Sequence, residues 1–60
     1  MKEFEIKVFA GYRQGGETYY NCFKEYVTAR NETAAGKAAR AELRKRGYIG
    51  IELSEIIPCD

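Results

Sequence analysis

Tyr26-Val27-Thr28-Ala29-Arg30-Asn31-Glu32-Thr33-Ala34-Ala35-Gly36-Lys37-Ala38-Ala39-Arg40-Ala41-Glu42-Leu43-Arg44-Lys45-Arg46-Gly47 is the stretch that decides the fold. It reads as the end of a strand, a capped helix and a glycine stop. Ala35, Ala38, Ala39 and Leu43 recur at helical spacing, so one face of small residues can lie close against a sheet. Asn31 is the expected N-cap, because its side-chain oxygen can accept from the first free backbone N–H groups. Glu32 beside it suits the positive end of the helix dipole. Gly36 costs about 1 kcal/mol against alanine in a helix, a cost that a close approach of something to the backbone would justify. Arg44, Lys45 and Arg46 fall in the last turn, and Gly47 is expected to close the helix as the left-handed C′ residue.

Upstream, Phe4, Ile6, Val8, Ala10 and Tyr12 alternate with Glu3, Glu5, Lys7, Phe9 and Gly11. That is a strand with one buried face. Residues 13–17, with Gly15 and Gly16 at their centre, break the pattern and predict a hairpin loop. The second strand runs from about Thr18 to Arg30. Phe23, Val27 and Ala29 share one parity, and Tyr20, Cys22, Lys24 and Tyr26 share the other. Asn21 and Glu25 then fall on the Phe23 side. Either a bulge near Lys24-Glu25 switches the faces, or both faces of this strand are covered; the pattern leaves both open.

Downstream, a third strand is expected from Tyr48 to about Ile57, ended by Pro58. Ile49, Ile51 and Leu53 point one way, and Gly50, Glu52 and Ser54 the other. The arrangement is ββαβ, an α+β domain occupying residues 1–60, with one helix packed on one face of a three-stranded antiparallel sheet. A right-handed crossover places the third strand beside the first, in order 2-1-3. The clean one-sided alternation of the first strand suits a central position. The expected core is Phe4, Ile6, Val8, Phe23, Val27, Ala29, Ala35, Ala39, Leu43, Ile49, Ile51 and Leu53.

One helix covers only one face of such a sheet. The other face is expected to carry Phe9, Tyr20 and Tyr26 together, with Ile56, among Lys7, Lys24 and Glu52. A cluster of aromatics on an uncovered sheet reads as a contact surface for a protein partner or a second copy. The alternative surface is the helix. Residues 30–46 hold six basic residues against Glu32 and Glu42, while the rest of the chain holds four basic and seven acidic. Lys37, Arg40 and Arg44 form a basic stripe that suits phosphate or an acidic partner, and equally the solvated outer face of a helix. The acidic strands keep the nucleic-acid footprint small.

Chemistry is not expected. The chain has no histidine, which removes the commonest general base and metal ligand, and Cys22 and Ser54 have no base to activate them. Glu52 and Glu55 stand three apart on a strand and so on opposite faces, and Asp60 sits at a terminus where fraying is expected. Neither a catalytic residue, a metal site nor a cofactor is expected. Cys22 and Cys59 are read as reduced thiols of a cytoplasmic protein. No apolar run is long enough to span a membrane, and Met1-Lys2-Glu3 leads directly into strand residues rather than a secretory signal.

Residues 23–53, with a strand ending Val27-Thr28-Ala29, then Asn31-Glu32-Thr33-Ala34-Ala35, a basic helix and Arg46-Gly47-Tyr48-Ile49, resemble small phage- and prophage-encoded proteins. That resemblance implies an accessory factor acting by binding, including inhibition of a host protein. Met1-Lys2-Glu3-Phe4 together with Ala29-Arg30-Asn31-Glu32 is similar to archaeal ribosomal LX-type proteins, which implies contact with ribosomal RNA. A basic tail would be expected of that family after the helix, where this chain has Ile51-Glu52-Leu53-Ser54-Glu55. Neither resemblance assigns a site residue. The expected function is a non-enzymatic protein-binding module, with a nucleic-acid- or ribosome-associated domain as the alternative.

Overall fold

Alternation, turn and cap chemistry yield four elements in the computed structural model, which describes residues 1–59: β1 (Lys2–Gln14), β2 (Glu17–Ala29), α1 (Glu32–Lys45) and β3 (Ile49–Cys59). Asp60 lies outside the described residues. The sheet order is β2-β1-β3, and both neighbouring pairs are antiparallel. The α+β fold and the strand order are those expected from the sequence.

The hairpin is tighter than the sequence pattern suggests. Gln14 pairs directly with Glu17, leaving Gly15 and Gly16 as a two-residue loop with φ +61° and +82°. Two positive φ values in succession are the mirror-image turn geometry that matches strand twist, and glycine adopts it without a Cβ penalty. The β1–β2 register then runs unbroken from Lys2↔Ala29 to Gln14↔Glu17. The bulge considered near Lys24-Glu25 is absent. Glu25 does stand on the Phe23 side, opposite Ile6, and it is accommodated because Arg46 at the end of α1 reaches it as an ion pair.

The helix is terminated as its sequence indicates. Asn31 is extended, and its Oδ1 accepts from the Ala34 N–H at 2.8 Å. At the other end Gly47 has φ +93°, its N–H donates to the Arg44 carbonyl, and the Tyr48 N–H donates to the Leu43 carbonyl, both at 3.0 Å. These paired bonds are a Schellman motif and satisfy two otherwise orphaned carbonyls. The helix buries Ala35, Gly36, Ala39 and Leu43 against the sheet. Below them lie Phe4, Ile6, Val8, Ala10 and Ala29, all buried.

A Cβ added at Gly36 would sit 3.4 Å from Ile56 Cδ1 and 3.6 Å from Leu53 Cδ1. That is van der Waals contact rather than collision, so close packing does not demand glycine here. Gly36→Ala is expected to stabilise the fold by about 0.5–1 kcal/mol through helix propensity. A thermal unfolding midpoint below that of the parent chain would contradict this packing.

β3 departs most from its expected pattern. Its pairing with β1 shifts between Lys7 and Val8, where Ser54 is the extra residue, and again between Phe9 and Gly11, where Gly50 is extra with φ +56°. Each extra residue inverts the parity that follows. Ile51, Leu53 and Ile56 therefore all pack against the core. Ile49, expected in the core, pairs with Gly11 on the opposite face and is 42% exposed. Ile56, expected on the open face, pairs with Ile6 beneath the helix, and Glu55, expected on the face opposite Glu52, pairs with Lys7 and shares the open face with Glu52 because Ser54 is inserted between them. The strand also continues through Pro58 to Cys59, which an edge strand tolerates because one row of its N–H groups needs no partner.

The 13-residue strands outreach the 14-residue helix, since a strand rises about 3.3 Å per residue and a helix about 1.5 Å. Aromatic rings take over where the helix stops. Tyr48 meets Phe23 at 5.3 Å and Tyr12 at 6.3 Å between ring centres, and Tyr12 stacks on Tyr19 at 5.6 Å.

Candidate functional site on the uncovered sheet face

The register arranges the face away from α1 in rows across the three strands: Tyr20–Gly11–Ile49, Cys22–Phe9–Glu52, Lys24–Lys7–Glu55 and Tyr26–Glu5–Ile57. Two of the three aromatics expected here come together. The rings of Phe9 and Tyr20 stack at 5.5 Å with their planes 7° apart, a geometry worth about 0.5–1.5 kcal/mol beyond area burial. Both remain exposed, at 41% and 55%. Ile49 stands in the Tyr20 row and is exposed as well.

Gly11 makes this stacking feasible. A Cβ there would sit 2.9 Å from Tyr20 Cε1 and 3.2 Å from the Tyr19 carbonyl oxygen. The Tyr20 ring thus lies over a backbone with no side chain in the way, and it reaches toward Gly50, whose added Cβ would be 3.7 Å from Tyr20 Cε1. The sequence pattern puts Gly11 and Gly50 on this face without giving either a role, and it puts Ile49 on the other. An isolated glycine inside an alternating strand is the sequence signal of such a close approach.

Tyr26 shares the face but not the cluster. It is six residues from Tyr20 on the same strand, about 20 Å along it, and the charged row lies between. There Lys7 and Lys24 are directly opposite each other. Each is compensated: Lys7 Nζ is 3.1 Å from Glu55 Oε1, and Lys24 Nζ is 3.8 Å from Glu5 Oε2. Tyr26 donates its hydroxyl to Glu5 Oε1 at 3.2 Å, and the carboxylate beside it holds the phenol proton to higher pH than usual. A shallow groove of about 360 Å³ lies between this charged row and the aromatic pair, lined chiefly by Lys7, Phe9, Cys22, Lys24 and Ser54.

The basic stripe is less free than its sequence implies. Lys37 and Arg44 are exposed, but Arg40 is half-buried and donates from Nη1 to the Ile51 carbonyl at 2.9 Å. Arg46 is held by Glu25 and, at 3.8 Å, by Glu42. Arg40→Ala is expected to cost about 1–2 kcal/mol, because it removes a charged donor from a partly buried carbonyl. Lys37→Ala should lie within about 0.5 kcal/mol of the parent. Equal unfolding midpoints for the two variants would show that the Arg40 bond contributes nothing.

Cys22 and Cys59 are free thiols. Among the described residues, no group of His, Cys, Asp or Glu is placed to hold a metal ion, and no helix is long and apolar enough to cross a membrane. No known protein family, no curated protein and no solved structure matches this chain.

Proposed function

We propose that this domain is a non-enzymatic binding module that engages a protein through its uncovered sheet face. The observation that carries this reading is the exposed, stacked Phe9–Tyr20 pair with Ile49 in the Tyr20 row, on a face that no other element among the described residues covers. Rigid aromatics held by packing bury much area with little loss of side-chain entropy, and they are favoured at interface centres. The charged row beside them is internally compensated, which suits a polar rim more than a phosphate track. On the helix, two of the cations are already committed within the chain. The reading places the module in the cytoplasm, where its two thiols stay reduced, and an accessory role in a phage or prophage, inhibition of a host protein included, is in keeping with it.

Immobilised parent chain, a Phe9→Ser/Tyr20→Ser variant and a Lys37→Glu/Arg44→Glu variant, each exposed to the same cell extract, test the proposal. Protein retained by the parent and by the helix variant, yet lost by the sheet variant, supports it. Retention lost only on charge reversal, with a steep salt dependence of binding to RNA or DNA, would replace it with phosphate binding by the helix.

A further inference from the structure

The two edges of the sheet are protected very differently. β3 carries two bulges, Pro58, and Arg40 bonded to its Ile51 carbonyl. β2 has no bulge and no proline over 13 residues, and among the described residues its outer row of backbone N–H and C=O groups faces no other strand. Three of the chain's exposed large apolar side chains, Tyr19, Tyr20 and Tyr26, stand on β2. Its central charges, Lys24 and Glu25, are paired within the chain with Glu5 and Arg46, and a long edge without bulge or proline is a template for adding a strand.

We propose that β2 pairs antiparallel with β2 of a second copy of this chain, about a two-fold axis through Phe23, forming a six-stranded sheet with both helices on one face. Such an axis pairs residues of like parity, and it sets each side chain beside one on the same face. Centred on Phe23, it places Tyr20 opposite Tyr26 of the partner subunit and Cys22 opposite Lys24 of the partner subunit on the open face. On the helix face it places Phe23 opposite Phe23 of the partner subunit, Tyr19 opposite Val27 of the partner subunit, and Asn21 opposite Glu25 of the partner subunit. No like charges meet, and aromatic pairs of the kind that stabilise adjacent strands form at the centre and at both flanks. Centring on Lys24 would oppose two ammonium groups. Centring on Cys22 would set Tyr26 against Thr18 of the partner subunit.

This pairing deepens the sheet-face reading and rests on it only for its consequence. A single chain holds Tyr26 away from Phe9 and Tyr20. In the dimer, Tyr26 of the partner subunit joins them, and a continuous aromatic band Phe9–Tyr20–Tyr26 forms twice across the shared edge. The assembled face requires the second copy.

Sedimentation equilibrium of the full chain up to millimolar concentration should give twice the 6.9 kDa chain mass. Cys22→Lys, which sets lysines opposite Lys24 at two symmetric places, should raise the dimer dissociation constant about tenfold. Cys22→Glu should lower it, and the thermal midpoint of dilute samples should show both variants folded. Register is read from Tyr20→Cys/Tyr26→Cys in a Cys22→Ser/Cys59→Ser background, oxidised with glutathione disulfide. Positions 20 and 26 of one chain are too far apart to bond, so a covalent dimer whose disulfides join position 20 of one chain to position 26 of the other supports the pairing, and one joined 20 to 20 or 26 to 26 contradicts it. A chain that stays monomeric at every concentration, a dimer indifferent to charge at position 22, or a dimer that does not cross-link through these cysteines would overturn it. These measurements need no other protein, so their failure would leave the sheet-face reading to its own test.

Discussion

Leu43→Ala is expected to lower the free energy of unfolding by about 2–5 kcal/mol, the range for a fully buried leucine whose surroundings relax only partly. Leu43 is 0% exposed, lies over the sheet and accepts the Tyr48 N–H through its carbonyl. A domain of this length has about 3–9 kcal/mol of stability in all, so the loss is a large fraction of the total and should lower the urea midpoint steeply. Ala39, also 0% exposed, tests the same contact from the opposite direction. Ala39→Leu should overpack the helix against the sheet and cost about 1–3 kcal/mol. Ala41→Leu, on the exposed side, should change little. Urea midpoints that are equally and slightly shifted for Ala39→Leu and Ala41→Leu would mean that the helix presents another face to the sheet.

The second large effect is on binding. Tyr20→Ala should weaken association with a captured protein partner by about 2–4 kcal/mol, the range of an interface anchor. It removes one half of a stacked pair and leaves Gly11 uncovered. Lys37→Glu/Arg44→Glu should leave affinity within about 0.5 kcal/mol, as expected of charges outside an interface. Arg40 is excluded from this comparison because its reversal would free the Ile51 carbonyl and perturb β3. Isothermal titration at two salt concentrations separates the outcomes. A Tyr20→Ala variant that binds like its parent would remove the aromatic pair from the site.

Much of this arrangement was legible in the residues. β1 has a clean period of two, Asn31 and Gly47 bracket the helix, and Gly15-Gly16 mark the turn. These are local chemistries, and they determined element order and topology. What the residues concealed lies in register. Ile49 and Ile56 exchanged their expected faces because Gly50 and Ser54 each insert one residue into β3. A period-two reading assumes none is inserted, and only Gly50, isolated between isoleucines, signals otherwise. Conversely, Glu25 on the Phe23 side leaves a bulge in β2 open as one alternative, and β2 has none, because a cation 21 residues away in sequence satisfies the carboxylate. Parity correctly put Phe9, Tyr20 and Tyr26 on one face. It carries no distance along the strand, so Tyr26 was grouped with rings it does not touch.

The proposed working surface is the sheet face opposite the helix. Hydroxyl-radical footprinting of the chain, alone and in complex with a captured partner, tests it most directly, because aromatic and aliphatic side chains report their own exposure. Protection confined to Phe9, Tyr20 and Ile49, with Ala41 and the Lys37–Arg44 side of the helix unchanged, is the predicted result. Protection along that side of the helix, with Phe9 and Tyr20 as reactive as in the free chain, would contradict it.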